Sequence, residues 1–458
     1  LTTMINQDFL QTLATAKGVS NLELDVVVLA MDGDSTPAIA KKLNVSEDTV
    51  RKRLSEVYRK FQIPGSGPVK LTKLQQILVS QYQQYLSQSY SDLPNHLPSD
   101  GQQDINLHHI WNGAPDVSAF YGRTEELATL EKWIVRDRCR IVALLGMGGI
   151  GKTYLSVKLA RQIQERFEYI IWQSLHQAPT IQDVLANLIT ILSQPQKIDL
   201  PEALDQRVSL LIKYLREKHC LLVLDAVEIV LDSSTVFWRY HNESEGYGIL
   251  LRRLGEEQHQ SCLLMTSIEK PREIALLESS TGCVRALELK GLKPEAAQKI
   301  LQSKSLTGEQ QWSTLIQTYR GNPLALKIVA TTIQEVFSCN VDEFLKYEFL
   351  VVSDMFREIL DWQFKRLSNA EKEIMYYLAK QNNLVSVQNL QQAMQNSITT
   401  SELIVALESL GGRSLLEKVQ SEDKNTSETL FSLQPVVRNY VNKLIPVSKR
   451  LNEDKKRA

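Results

Sequence analysis

The stretch Gly146-Met147-Gly148-Gly149-Ile150-Gly151-Lys152-Thr153 limits what this chain can fold into more than any other. It spells G-x-x-x-x-G-K-[ST]. An apolar run, Ile141-Val142-Ala143-Leu144-Leu145, leads into it, and a stretch of helical period carrying Leu155, Val157, Leu159, Ala160 and Ile163 follows. Strand, glycine loop and helix in that order form a phosphate-binding loop. The glycines let the backbone turn so that successive N–H groups point inward at phosphate oxygens, and the helix opening near Lys152 adds its positive end. The Lys152 ammonium is placed to reach β- and γ-phosphates and the Thr153 hydroxyl to ligate Mg²⁺. The predicted phosphate site is therefore Gly146, Gly148, Gly149, Ile150, Gly151, Lys152, Thr153 and Tyr154. The rival is a glycine-rich turn that holds no ligand.

A chain of 458 residues exceeds a single core and predicts three or four units. Its net charge of -1 provides no global basic field, so any nucleic-acid surface must be local. No apolar run approaches the roughly 20 residues of a membrane span, and Leu1-Thr2-Thr3-Met4 has no signal-peptide pattern. Cys139, Cys220, Cys262, Cys283 and Cys339 are odd in number and form no C-x-x-C pair, which predicts free thiols in a reducing cytoplasm.

Residues 1–80 read as all-helical. Ser20-Asn21-Leu22-Glu23 is a capping box and Asp32-Gly33-Asp34 a turn. Pro37 opens a short second helix, and Ser46 caps a longer third one through Phe61, with the small Ala40 at the crossing. This is a helix-turn-helix. The run from Ile39 through Val45-Ser46 and Thr49-Val50-Arg51 to Lys60-Phe61 resembles the DNA-binding domain of LuxR-type response regulators. That resemblance implies that the third helix enters the major groove of double-stranded DNA, with Arg51, Lys52, Arg59 and Lys60 as contacts. Residues 1–78 hold ten Lys/Arg and eight Asp/Glu, a weak excess for phosphate neutralisation. The same three helices could instead bind protein.

Residues 81–119 are rich in Gln, Ser, Asn, Asp and Pro and predict a flexible linker, with His108-His109 a solvated pair. Trp111, Val117 and Phe120 point to docking near its end. Residues 120–290 then alternate strand and helix signals, which predicts a parallel sheet covered on both faces. Predicted strands are 140–145, 169–172, 220–224, 262–265 and 284–288. The third ends in Asp225, where an acid suits the Walker B role of holding Mg²⁺.

The set Phe120-Tyr121-Gly122-Arg123-x-x-Glu126, the glycine loop, Leu222-Val223-Leu224-Asp225, Thr266-Ser267 and Gly321-Asn322-Pro323-Leu324 resembles the NB-ARC branch of the STAND P-loop NTPases. The resemblance implies ADP/ATP as ligands, Val117, Gly122, Arg123 and Pro323 around the nucleoside, and Lys152 and Asp225 as the residues of any phosphoryl chemistry. It also implies a helical lid at 291–350 and a winged-helix domain at 351–445, followed by a basic tail at 446–458. The residues support the winged helix independently. Ser368-Asn369-Ala370-Glu371 is a capping box, helices are predicted over Val387–Met394 and Ser401–Leu410, and Leu415–Val419 and Thr429–Leu433 read as a hairpin.

Three departures bear on mechanism. The family's second acid is Ala226, its γ-phosphate-sensing arginine is Ile268, and its ADP-contacting histidine is Gln434, whose amide could still donate. Glu228 and Lys270 lie nearby but out of register. Losing a positioned acid or arginine harms phosphoryl transfer more than binding. The expectation is therefore a cytoplasmic switch that binds ADP/ATP and Mg²⁺, hydrolyses slowly or not at all, and self-associates on activation. A protein-binding signalling or defence adaptor and a working ATPase remain open. No repeat of 20–50 residues is visible, so the sensor is expected to be a separate protein unless the chain is a piece of a longer one.

Overall fold

A computed structural model describes residues 13–14, 17–31, 36–61, 74, 108–194, 198–231, 245–347, 354–381, 383–420 and 428–444. The predicted turn at Asp32-Gly33-Asp34, the linker up to residue 107 and the tail from 446 lie outside the described residues. The chain divides into two compact units, Leu1–Gln103 and Asp104–Ala458.

In the first unit three helices run over Asn21–Met31, Thr36–Lys42 and Glu47–Lys60. Ser46 caps the third by accepting the Thr49 N–H at 3.2 Å, and Glu23 accepts the Ser20 N–H at 2.7 Å. Asn44 takes a φ of 52° in the turn before the third helix, a conformation its short polar side chain tolerates. Val26, Ala30, Ile39, Ala40 and Val50 pack into one cluster, and Val27 and Val57 into a second.

The second unit is built on a six-stranded, all-parallel sheet: β1 (His108–Ile110), β2 (Ile141–Leu145), β3 (Tyr169–Ser174), β4 (Cys220–Asp225), β5 (Cys262–Ser267) and β6 (Val284–Glu288), in the spatial order β1-β3-β4-β5-β2-β6. All five predicted strands form. The alternation hidden inside their apolar runs now has a cause. Ile141, Ala143, Leu145, Leu222 and Leu224 serve the core on one face, while Val142, Leu144, Leu221 and Val223 serve the other. Helices cover both faces, so neither set of side chains is free to be polar.

One expectation is corrected. His108–Ile110 was expected in the flexible linker, yet it pairs with Tyr169–Ile171 as the edge strand, and His108 stacks on Tyr169 with ring centroids 4.8 Å apart. The sheet thus begins at His108, not with the strand predicted at 140–145, and the histidines are strand residues. Three residues of this composition read as strand only because β3 offers them a pairing edge.

Beyond β6 come the helices Pro294–Ser303, Trp312–Thr318 and Pro323–Val336, then Asp354–Lys365, Asn369–Lys380, Val387–Met394, Thr400–Gly412 and Pro435–Leu444. An antiparallel sheet in the order β7-β9-β8, from Val385–Ser386, Thr429–Ser432 and Glu417–Gln420, accompanies the later helices. One apolar core joins the earlier helices to the later ones, from Leu292 and Leu326 to Phe356, Leu378 and Tyr440, and takes in Met147 of the glycine loop. The capping box at Ser368 is present: Glu371 accepts the Ser368 N–H at 2.6 Å and Ser368 Oγ accepts the Glu371 N–H at 3.2 Å. Among the described residues no helix is long and apolar enough to cross a membrane, and the five cysteines are free thiols.

Candidate functional site

The strand order sets the site. β5 lies between β2 and β4, so its carboxyl end falls between the glycine loop that follows β2 and the acid that ends β4. Thr153 Oγ1 donates to Asp225 Oδ1 at 2.8 Å, and Thr266 Oγ1 of β5 donates to the same oxygen at 2.7 Å. The Ala226 N–H in turn donates to Thr266 Oγ1 at 3.0 Å. Asp225 is buried and its other oxygen, Oδ2, lies 3.8 Å from His176 Nε2. A hydroxyl and a carboxylate this close fit Mg²⁺, which takes few protein ligands and completes its shell with water and phosphate oxygens.

The Lys152 ammonium is buried and donates to the Gly146 and Met147 carbonyls at 2.7 and 3.1 Å. Burial lowers its pKa to about 8, against the pull of Glu228 and Asp225 in the other direction. Two glycines are fixed by contacts. A Cβ on Gly149, whose φ is +74°, would lie 2.6 Å from Leu324 Cβ, and one on Gly148 would lie 2.5 Å from Ile359 Cγ2. Side chains at these positions would push away the helices Pro323–Val336 and Asp354–Lys365 respectively. Asn322 braces the loop: its Nδ2 donates to the Gly148 carbonyl at 3.1 Å while its Oδ1 caps the helix that begins at Pro323.

These groups border a cavity of about 780 Å³, whose opposite wall is apolar and includes Pro115, Phe120, Tyr121, Leu292, Ile300 and Pro323. This size and this split between polar and apolar walls suit a ligand with a flat apolar part and an anionic tail. Gly148 to Tyr154, Arg123, Asp225 and Pro323 all border it. Arg123 does so as a brace, donating to the Ile150 carbonyl at 3.0 Å and to Glu126 at 2.8 Å. Val117 is instead buried in the core below, and Gly122, Gly146 and Gln434 do not border the cavity. From the later helices the wall receives Glu358, Ile359 and Trp362. Their helix, Asp354–Lys365, was not among the elements predicted from the sequence.

Of the two compensating residues considered, Lys270 pairs with Glu278. Glu228 does border the cavity. Ala226 turns with a φ of 63°, and the short helical turn Val227–Ile229 that follows carries Glu228 inward, where it accepts the Ile268 N–H at 3.1 Å.

On the first unit's third helix, Arg51 pairs with Glu47 and Asp48 at 2.8 and 3.0 Å, and Arg59 with Glu56 at 2.7 Å, all at exposed positions. Such pairs are weak and yield readily to another anion. Lys60 differs: it pairs with Glu23 of the first helix at 2.6 Å and is only 21% exposed, so it is a structural tie. Lys52 is exposed.

The sheet order and the glycine loop define the class as a P-loop NTPase fold. Residues 123–311 match the NB-ARC domain family, and residues 17–66 match the luxR family of bacterial regulatory proteins. The chain thus carries an NB-ARC domain preceded by a LuxR-type helix-turn-helix segment. It is 44% identical over 346 residues to an uncharacterized WD repeat-containing protein of Nostoc sp., a match covering 73% of this chain and 27% of that one. It is 24% identical over 314 residues to a disease resistance protein of Arabidopsis thaliana, covering 62% of this chain and 35% of that one. The chain therefore spans about a third or less of the length of these relatives. Among solved structures, a Walker-type ATPase of Pyrococcus abyssi is similar with a TM-score of 0.49 at 13% identity, covering 70% of this chain and 96% of that one.

Proposed function

We propose that the second unit is a nucleotide-dependent switch that binds ADP and ATP with Mg²⁺ and couples the bound state to the N-terminal helix-turn-helix. The observation that carries this reading is that Thr153 and Thr266 are joined through Asp225 on a cavity of nucleotide size that the buried Lys152, Ile359 and Trp362 also border. Lys152 and the loop N–H groups bind phosphates, Phe120, Tyr121 and Pro323 flank the base, and Thr153 with Asp225 hold Mg²⁺. When bound, Mg²⁺ supplies charge neutralisation to the phosphate oxygens. The lid helices and the later, winged-helix-like part hold ADP in a closed arrangement and part on exchange for ATP, which permits self-association. In this reading the switch works in the cytoplasm.

Hydrolysis is slow or absent in this reading, because Ala226 and Ile268 provide neither an acid nor an arginine in the register where they would act. The deciding experiment is to denature the purified protein and identify what is released. Adenine nucleotide near one per chain, mostly ADP, is the expected result; no released nucleotide together with no binding on titration defeats the reading. Brisk, Lys152-dependent multiple turnover of ATP would defeat the slow-hydrolysis part alone.

For the output, the luxR-family match favours DNA over a protein partner. With Arg51, Lys52 and Arg59 as three phosphate contacts, duplex affinity should fall roughly fortyfold between about 50 and 200 mM salt. Absence of any salt-dependent duplex binding by the nucleotide-loaded full chain would transfer the output to protein recognition.

A further inference from the structure

Two buried carboxylates, Glu228 and Asp225, border the cavity together with the buried Lys152 ammonium, and both favour its charged form against the effect of burial. Asp225 already has a task, since Thr153 and Thr266 both donate to it. Glu228 is 5% exposed, borders the same cavity and carries no part of the phosphate-loop architecture. Burial pushes its pKa up, while Lys152 and the Ile268 N–H pull it back. Keeping a carboxylate in such a place is costly, and burial of that kind concentrates at working sites.

The residue that holds Glu228 is also joined to the rest of the unit. Next to Ile268 stands Glu269, whose carboxylate takes Arg413 Nη1 at 2.7 Å and Arg366 Nη2 at 3.1 Å, all three groups buried. The Lys270 N–H donates to the Gly412 carbonyl at 2.9 Å, and Ser414 Oγ donates to the Ile268 carbonyl at 3.4 Å. A single short segment, Ile268–Lys270, thus grips Glu228 in the cavity on one side and the helix Thr400–Gly412 on the other.

We propose that Glu228 is the residue that distinguishes a nucleoside triphosphate from a diphosphate, and that Ile268–Glu269 passes its displacement to the Arg366/Arg413 cluster. The proposal rests on reading the cavity as a nucleotide site. A diphosphate leaves the Glu228 carboxylate on the Ile268 N–H, bordering the cavity that Lys152 also borders. A third phosphate competes for the same ammonium and brings like charge against the carboxylate in a poorly screened place. The carboxylate then either weakens triphosphate binding or moves, and moving releases the Ile268 N–H. Such a difference between ligands is what a switch requires, because equal affinity for both states shifts nothing. The sensing function that the family assigns to an arginine at the Ile268 position is here performed by an acid held by that residue's backbone.

The test is titration of the full chain with Mg-ADP and with the Mg complex of a β,γ-imido ATP analogue, for the wild type, Glu228→Gln and Glu228→Ala. Glutamine removes the charge and keeps an acceptor for Ile268. Affinity for the analogue relative to ADP is expected to rise about tenfold or more in both variants. In the wild type, hydrogen exchange at Gly412–Leu416 should be faster with the analogue than with ADP, and this difference should disappear in Glu228→Gln. If both nucleotides bind in a Lys152-dependent way but neither variant changes their ratio by more than about twofold, Glu228 is not the discriminator and the nucleotide-site reading stands. If the wild type binds neither nucleotide, both readings fall together.

Discussion

Replacing Lys152 with alanine is expected to weaken binding of both ADP and ATP by roughly a hundredfold while leaving the fold intact. The estimate follows from what is removed. A lysine at this position makes charge-assisted hydrogen bonds to phosphate, each worth about 1.5–3 kcal/mol. Because Lys152 is buried, little water competes with a phosphate for its ammonium. The side chain belongs to no apolar cluster, and its partners in the structure are the Gly146 and Met147 carbonyls, so the sheet does not depend on it. Calorimetric titration, with circular dichroism to check the fold, measures the effect. A folded variant whose affinity stays within a factor of about three of the wild type would remove Lys152 from the phosphate site.

The second large effect is on stability. Arg413→Ala is expected to cost about 3–5 kcal/mol, because it strands buried carboxylates. Arg413 Nη1 lies 2.7 Å from Glu269 and its Nε 3.4 Å from Glu371, and the side chain is 2% exposed. Arg366 also reaches Glu269, but Glu371 loses its cation and retains Ser409 Oγ at 2.5 Å and the Ser368 N–H at 2.6 Å. Urea denaturation of the nucleotide-free protein measures the loss, and limited proteolysis shows whether the later helices come free first. A loss under about 1 kcal/mol would mean that water reaches the cluster. Disrupting the exposed Arg51–Glu47 pair, by contrast, should change stability by less than about 1 kcal/mol.

The two halves of this molecule were unequally legible. The glycine loop and five strands could be read because their causes are local: glycines where the backbone must turn, and apolar runs long enough to cross a sheet. β1 could not, since His108-His109-Ile110 has no apolar run and forms a strand only where β3 provides an edge. The phosphate side of the site was readable for the same local reason, and Asp225 followed from its place at a strand end. The cavity wall formed by Glu358, Ile359 and Trp362 was not readable, because helix periodicity gives a buried face without naming what that face meets. Glu371 shows the limit most clearly. In the sequence it is half of a capping box, and it is that, but the same carboxylate also accepts from Ser409 and stands beside Arg413, thirty-eight and forty-two positions away. Glu269, Arg366, Glu371 and Arg413 share no motif, and only the fold brings them together.

The way the unit's cores are divided has a consequence for what an opened molecule would present to water. The helices from Pro294 to Val336 and the later helices share one apolar core, which takes in Met147 of the glycine loop, whereas the two faces of the sheet have their own. The boundary between the sheet and the later helices is crossed by Glu269, Arg366 and Arg413 and by backbone pairs such as Lys270 N–H to Gly412 O. Parting the molecule along that boundary wets ionic groups, whose hydration returns much of what the contact was worth. Parting it through the shared core would instead expose Phe356, Leu360 and Leu378 and invite aggregation. In the switch reading proposed above, opening along that boundary would therefore leave most of the shared apolar core covered.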